Sequence, residues 1–149
     1  MANKEFSVAF TGDFSRFAAF SRFFDRLAAA KAALREVPAD PHAVEAILKD
    51  STWVDLLDAG ALEKVTSQGE WHLEDILECV LNGEYRLVTV TFDGQMGRLV
   101  YDPWAYPFGG TDPLKALVRI FGFEIAGDSF WDGFAEWQRK SADPTVTPD

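Results

Sequence analysis

Two strand-like runs joined by a short turn signal constrain the fold of this chain more than any other feature. Residues 85–92 and 95–101 are rich in β-branched and aromatic side chains, which pack well on a pleated surface. Asp93-Gly94 between them is a favoured sequence for a two-residue type I′ hairpin turn. Such a turn predicts one register, which pairs Phe92 with Gln95, Val90 with Gly97, Val88 with Leu99 and Arg86 with Tyr101.

That register divides the predicted hairpin into two faces. The face expected to pack on the core carries Val88, Val90, Phe92 and Leu99, whereas the opposite face is mixed and includes Leu87. Gly97, placed opposite Val90, leaves a gap that a neighbouring side chain or backbone could fill.

Helical patterns lie on both sides of the hairpin. Asp13 is a suitable N-cap for a long helix that ends near Val37 and turns a row of Phe and Leu residues to one side. Lys31 falls on that apolar side, and we expect its stem to lie along the core while its ammonium reaches water. Further helices are predicted after Asp40-Pro41, from Ser51 to Gly60, over 72–82, from 111 to 122 and after Asp128-Ser129, whereas 61–70 is expected to be irregular.

Helices before and after the hairpin, rather than in alternation with strands, predict an α+β fold. We expect a small antiparallel sheet centred on the 85–101 hairpin, with about five helices packed mainly against one face. Residues 5–10 are a further strand candidate, although the phenylalanines of 6–17 also fit a helical period, and residues 123–126 could add another strand. Residues 1–140 are expected to form one domain, followed by a disordered tail over 141–149.

Compartment signals are few and consistent with one another. No window reaches the roughly 18 consecutive apolar residues that a membrane span needs. The first residues lack the basic and apolar regions of a secretory signal. The chain has a single cysteine, Cys79, so an intramolecular disulfide is excluded. These observations predict a cytoplasmic protein that is not bound to membranes.

Negative charge is concentrated in one part of the chain. The formal net charge is −10, and residues 40–84 hold eleven acidic residues against Lys49 and Lys64, a net of −9. Phosphate backbones repel such a surface, so we expect no nucleic-acid partner. A basic protein would be attracted to it, and the predicted contact residues are Glu70, Glu74, Asp75 and Glu78. The alternative is that these acidic helix faces only maintain solubility.

An aromatic, glycine-rich loop follows the hairpin. The candidate ligand or partner residues within it are Tyr101, Asp102, Trp104, Tyr106, Phe108, Gly109, Gly110 and Thr111. Ordinary turns are small and polar, so a loop with four aromatic rings indicates either a recognition surface or a lid that folds back on the sheet. The direction in which the rings of residues 104–108 point decides between these two interpretations.

Catalytic and metal-binding motifs are absent from the sequence. His42 and His72 have no third ligand at a suitable spacing, so no metal or other cofactor is predicted. Acidic neighbours make the surroundings of Cys79 unsuitable for a reactive thiolate. Asp102 and Asp112 flank the aromatic loop and could act as an acid and base pair, although Asp102 is also explained as a turn former and Asp112 as a first-turn residue that complements the helix dipole.

The sequence therefore favours a binding protein over an enzyme. The leading hypothesis is a small protein-binding module of the inhibitor or immunity type that presents its acidic segment to a basic partner. An alternative is an enzyme or small-ligand-binding protein with its site at the loop of residues 101–113. A third hypothesis is a structural subunit that self-associates through exposed aromatic surface, and the sequence leaves the oligomeric state open.

Overall fold

The computed structural model describes residues 6–36, 41–67, 72–103 and 111–129. These ranges contain six α-helices and one four-stranded antiparallel sheet, which confirms the predicted α+β fold. No helix within them is long and apolar enough to cross a membrane. The elements in chain order are β1 Phe6–Thr11, α1 Phe17–Arg35, α2 Pro41–Leu48, α3 Thr52–Asp55, α4 Ala59–Ser67, α5 Leu73–Asn82, β2 Tyr85–Phe92, β3 Gly97–Pro103, α6 Asp112–Ile120 and β4 Glu124–Asp128. The predicted last helix and tail fall after residue 129, outside these ranges.

The sheet has the strand order β2-β3-β1-β4, with every neighbouring pair antiparallel. Both additional strand candidates are confirmed, since β1 lies between β3 and β4. Alternate residues point to opposite faces of a strand, and the buried set marks the face that the helices cover. That inner face carries Val8, Phe10, Leu87, Val90, Leu99 and Tyr101.

The register predicted for the β2–β3 hairpin is wrong. Phe92 pairs with Gly97, and Val90 pairs with Leu99. A type I′ turn at Asp93-Gly94 would need positive φ at both residues, but among the described residues only glycines have it, Gly94 with φ +97°. Asp93 instead precedes the turn, and its carboxylate accepts hydrogen bonds of 2.8 Å from the backbone N–H groups of Gln95 and Met96. This Asx-type contact displaces the turn by one residue and the pairing by two.

A β-bulge in β2 also changes which side chains face the core. The pairing shifts between Leu87 and Thr89, so Val88 is the extra residue and is only half-buried. Leu87, predicted on the mixed face, is buried instead. Gly97 does not lie opposite Val90 but still leaves space for a neighbour, because the ring of Phe10 occupies the place that a Cβ would take.

Aromatic rings fill the space between the sheet and the helices. Phe10 of β1 lies at the centre, with ring centroids 5.5 Å from Phe20, 5.9 Å from Phe92 and 4.9 Å from Phe123. The Phe20 ring in turn stacks on Phe121 at 5.4 Å. Rings at these separations contribute attraction beyond the area they bury. The high phenylalanine content of the chain is therefore largely explained by one core.

Helix α4 occupies a segment that was predicted to be irregular. Asp58 starts it as an N-cap, since its carboxylate accepts a hydrogen bond of 2.8 Å from the Ala61 N–H. The same carboxylate accepts two hydrogen bonds from the Arg16 guanidinium, from Nε at 2.9 Å and from Nη2 at 2.5 Å. The predicted helix from Ser51 to Gly60 is correspondingly short and ends at Asp55. Tertiary contact with Arg16 thus stabilises a helix that its own periodicity does not indicate.

Lys31 binds the end of α5 rather than reaching water as predicted. Its side chain is 3% exposed, and its ammonium donates hydrogen bonds to the carbonyl oxygens of Val80 at 2.7 Å, Leu81 at 3.3 Å and Gly83 at 2.5 Å. The last carbonyls of a helix lack partners within the helix, and a cation there also complements the helix dipole. The ammonium lies 4.6 Å from the centroid of the Tyr85 ring. One cation therefore connects α1, α5 and β2.

Replacing Lys31 with Met should destabilise the fold strongly. The variant keeps the length of the stem but leaves buried carbonyl oxygens without the amine that donates hydrogen bonds to them, a loss we expect to lower the free energy of unfolding by about 2–4 kcal/mol. Urea unfolding followed by circular dichroism measures the difference. The exposed Arg35→Met serves as the control, and an equal effect of both substitutions would contradict the role given to Lys31.

The free energy of unfolding should depend on pH because of the same lysine. Burial lowers the pKa of Lys31 from 10.5 to about 8, with a further contribution from the Arg35 charge. Folding therefore releases a proton between these values, and the free energy of unfolding should rise with pH from about 8 to about 10. Above about 10 it should fall, because burial raises the pKa of Tyr85 and Tyr101 and the unfolded chain ionises first.

Unfolding titrations in a Cys79→Ser background measure this profile, since burial also raises the pKa of the Cys79 thiol. The rising part should be absent when Lys31→Met is added. A rise that persists in that variant would assign it to another group.

Candidate functional site

The aromatic loop is described only at its two ends. Trp104, Tyr106, Phe108, Gly109 and Gly110 lie outside the described residues, so the direction of these rings stays a prediction. The structure places Tyr101 and Asp102 on β3 and Thr111 just before α6, and all three are buried.

Thr111 is anchored by a buried polar contact with the end of β4. Its hydroxyl donates a hydrogen bond of 2.6 Å to Asp128 Oδ2. The same oxygen forms an ion pair with Lys115 Nζ at 2.9 Å. Thr111 therefore makes no side-chain cap on α6, although Pro113 in the first turn fits the predicted start. Asp128 and Lys115 were not predicted from the sequence as members of a polar cluster with Thr111. The signal available for Lys115 was its position one helical turn after Thr111.

Two tyrosines lie close to this anchor on the inner face of the sheet. The rings of Tyr85 and Tyr101 meet edge to face, with centroids 5.7 Å apart. Burial raises the pKa of the Tyr101 hydroxyl, and the negative charge of Asp128 adds to the effect. Both tyrosines therefore stay neutral at physiological pH. Hydroxyls of this kind can donate or accept hydrogen bonds but supply no anion.

The carboxyls of Asp102 and Asp112 have different surroundings. Asp102 is buried on β3, paired in register with Arg86 of β2. Asp112 is exposed in the first turn of α6, where a negative charge complements the helix dipole. Their use as an acid and base pair stays a prediction.

Helix α5 presents three of the predicted acidic contact residues. Glu74, Asp75 and Glu78 are exposed, while Ile76, Leu77, Val80 and Leu81 of the same helix are buried. Glu70 lies outside the described residues. We call the three exposed carboxylates the α5 acidic face. Its field acts on the neighbouring Cys79, since burial and then the charges of Glu78 and Asp75 raise the pKa of that thiol.

Ion pairing separates the α5 acidic face from other acidic residues of the same segment. Glu45 pairs with Lys49 at 2.7 Å, Asp50 with Arg26 at 2.7 Å and Asp58 with Arg16 at 2.5 Å. Within the described ranges, none of the three carboxylates of the α5 acidic face makes an ion pair. The charge excess seen in the sequence therefore includes a face whose charges are not neutralised by the described residues.

The described residues form no candidate metal site. Among them, no three His, Cys, Asp or Glu side chains lie close enough together to hold a metal ion. His72 is exposed immediately before α5 and makes no side-chain cap. Comparison of the chain with protein-family models, curated proteins and solved structures found no match.

Replacing Thr111 with Val tests whether the Thr111–Asp128 contact stabilises the fold. The substitution keeps the shape and removes the hydroxyl that donates to a buried carboxylate, so we expect the free energy of unfolding to fall by about 1–3 kcal/mol. Chemical unfolding provides the measurement. Thr91→Val on the exposed face of β2 is the matched control and should change stability by less than about 0.5 kcal/mol. An equal decrease in the free energy of unfolding for both variants would contradict a stabilising role of the Thr111–Asp128 hydrogen bond.

Proposed function

We propose that this protein is a binding module of the inhibitor or immunity type, which recognises a basic partner protein through the α5 acidic face. The observation that carries the proposal is the exposure of Glu74, Asp75 and Glu78 on one helix without ion pairs to the described residues. Charges that no described residue neutralises attract an incoming cationic surface. A location in the cytoplasm is part of the proposal.

The packing of α5 against the rest of the fold supports the proposed binding surface. The helix buries four apolar residues and has its last carbonyls bound by Lys31, so its exposed side is fixed relative to the rest of the fold. A fixed array of charges loses less entropy on binding than one that must first be ordered. Arg or Lys side chains of a partner could therefore meet these carboxylates without a rearrangement of the module.

Removing the charges of the α5 acidic face should abolish binding. The variant Glu74→Gln/Asp75→Asn/Glu78→Gln keeps the shape of the side chains and should lose at least about 90% of the partner that the wild-type protein captures at low salt, as expected for a steered, charge-dependent complex. Capture from a lysate of the organism that encodes the protein, quantified by mass spectrometry, provides the measurement.

A second triple variant controls for net charge. Glu45→Gln/Asp55→Asn/Glu63→Gln removes the same number of charges from exposed positions on other helices, and it should capture the partner as the wild type does. Equal losses in both variants would show non-specific charge attraction and contradict the proposal. Capture of no basic protein by the wild type would also contradict it.

The alternative site at the loop of residues 101–113 has weaker support. Tyr101, Asp102 and Thr111 at its ends are buried, which shields their side chains from a ligand, and Thr111 already has a structural partner in Asp128. An enzymatic or ligand-binding function at this loop therefore ranks second.

A further inference from the structure

Burial changes along the outer face of the sheet, which is the face opposite the side on which α1 and α6 pack. On β3 the outer residues are Arg98, Val100 and Asp102, which alternate with the buried inner residues Leu99 and Tyr101. Arg98 is exposed and Val100 is half-buried, whereas Asp102 near the end of the strand is only 3% exposed. An uncovered sheet face leaves the ends of its strands accessible to water. The burial of Asp102 therefore indicates a cover over this end of the face.

The neighbouring strands show the same change in burial. On β1 the outer residues Ser7 and Ala9 are half-buried, while Thr89 and Thr91 on the outer side of β2 are exposed. Ser7 pairs with Val100, so the half-buried residues adjoin each other. Burial of the outer face is thus greatest at the end where β1 begins and β4 ends, and least at the tip of the hairpin.

The chain leaves the sheet at this same end. β4 ends at Asp128, and Ser129 Oγ accepts a hydrogen bond of 2.8 Å from the backbone N–H of Ser7. The backbone of Ser129 is already helical. On the inner side, the Asp128 carboxylate is occupied by Thr111 and by Lys115 of α6. The outer face is therefore the side over which the chain can return across the sheet.

The sequence that follows β4 suits such a face, although it lies outside the described ranges. At helical spacing, Phe130, Phe134 and Trp137 share one side, and Asp132 and Glu136 lie opposite. A helix rises about 1.5 Å per residue and neighbouring strands lie about 4.8 Å apart, so about three turns are enough to cross all four strands. Large rings exclude water from the surface on which they pack.

From these observations we propose that residues 130–140 form an amphipathic helix that lies across the outer face and covers Val100 and Asp102. The apolar side of this helix packs on the half-buried end of the face, and its acidic side stays in water. The burial of Asp102 is then explained by packing within the chain rather than by a ligand pocket at the loop of residues 101–113. The α5 acidic face is not involved, so this proposal does not depend on the proposed function.

Thiol labelling of the full chain tests the proposed cover. Val100→Cys in a Cys79→Ser background reports access to the outer face. Adding Phe134→Ala/Trp137→Ala should raise its rate of reaction with a maleimide at least about tenfold, because a thiol must be accessible to react. Thr91→Cys at the exposed end of the face should react equally fast with and without these two substitutions. Circular dichroism should show that the variants keep their fold, because the inner core is unchanged.

A matched pair of substitutions in the aromatic loop separates the two segments that could cover Asp102. Trp104→Ala/Tyr106→Ala also removes two rings, and it should change the labelling rate of Val100→Cys by less than about twofold. An increase as large as that of the C-terminal double variant would make the loop the cover and overturn the proposal. An unchanged rate in a folded C-terminal double variant would overturn it as well.

Cross-linking tests the same contact without the double alanine substitution. Val100→Cys/Phe134→Cys in the Cys79→Ser background should be joined within one molecule by a short bismaleimide, as mass spectrometry detects. Phe134→Cys with Cys79 kept is the control and should form no internal cross-link, because Cys79 lies on α5, which packs on α1 and α6. A cross-link to Cys79 instead of to position 100, or none in either protein, would overturn the proposal. This result decides the question by itself where the double alanine variant does not fold.

Discussion

The buried ammonium of Lys31 is the contact on which the arrangement of the helices and the sheet most depends. It is nearly excluded from water and donates to three carbonyl oxygens at the end of α5. A buried charge is expensive unless its hydrogen-bonding capacity is used, and here three donors meet three acceptors. Because Gly83 and Tyr85 follow directly, the same contact fixes the point at which the chain leaves α5 and enters the sheet. A Cβ at Gly83 would collide with the Tyr85 ring, so glycine is needed there for space rather than for a positive φ.

Fixing the end of α5 also fixes which side of the helix faces outward. Ile76 and Leu77 pack inward, so Glu74, Asp75 and Glu78 must point to solvent. Elsewhere in the acidic segment, Arg16 and Arg26 from the N-terminal part of the chain neutralise Asp58 and Asp50. The fold thus uses some of its acidic residues to hold helices together and leaves others exposed. This division of roles is the physical basis of the proposed binding to a basic partner.

The sequence predicted the kinds of elements better than their connections. Strand and helix patterns identified β2, β3 and most helices and made β1 and β4 strand candidates, because periodicity reports which side of an element is buried. The hairpin register was wrong because the Asp93 side chain binds the turn backbone, a contact that competes with the favoured type I′ geometry. Helix α4 was missed because Arg16, more than forty positions away, binds its N-cap residue. Of the candidate site residues, the exposure of the α5 acidic face followed from its periodicity, whereas the Thr111–Asp128 contact joins residues that only the folded sheet brings together.

Direct observation of the Lys31 amine tests the central claim that this group holds the end of α5. Nuclear magnetic resonance of ¹⁵N-labelled lysine side chains reports the titration of each amine separately. We expect one Nζ signal, absent from Lys31→Met, that is protected from exchange with water and titrates near 8, below the ordinary lysine value of 10.5. A Lys31 signal that exchanges rapidly and titrates at the ordinary value would place the ammonium in solvent and contradict the role given to Lys31.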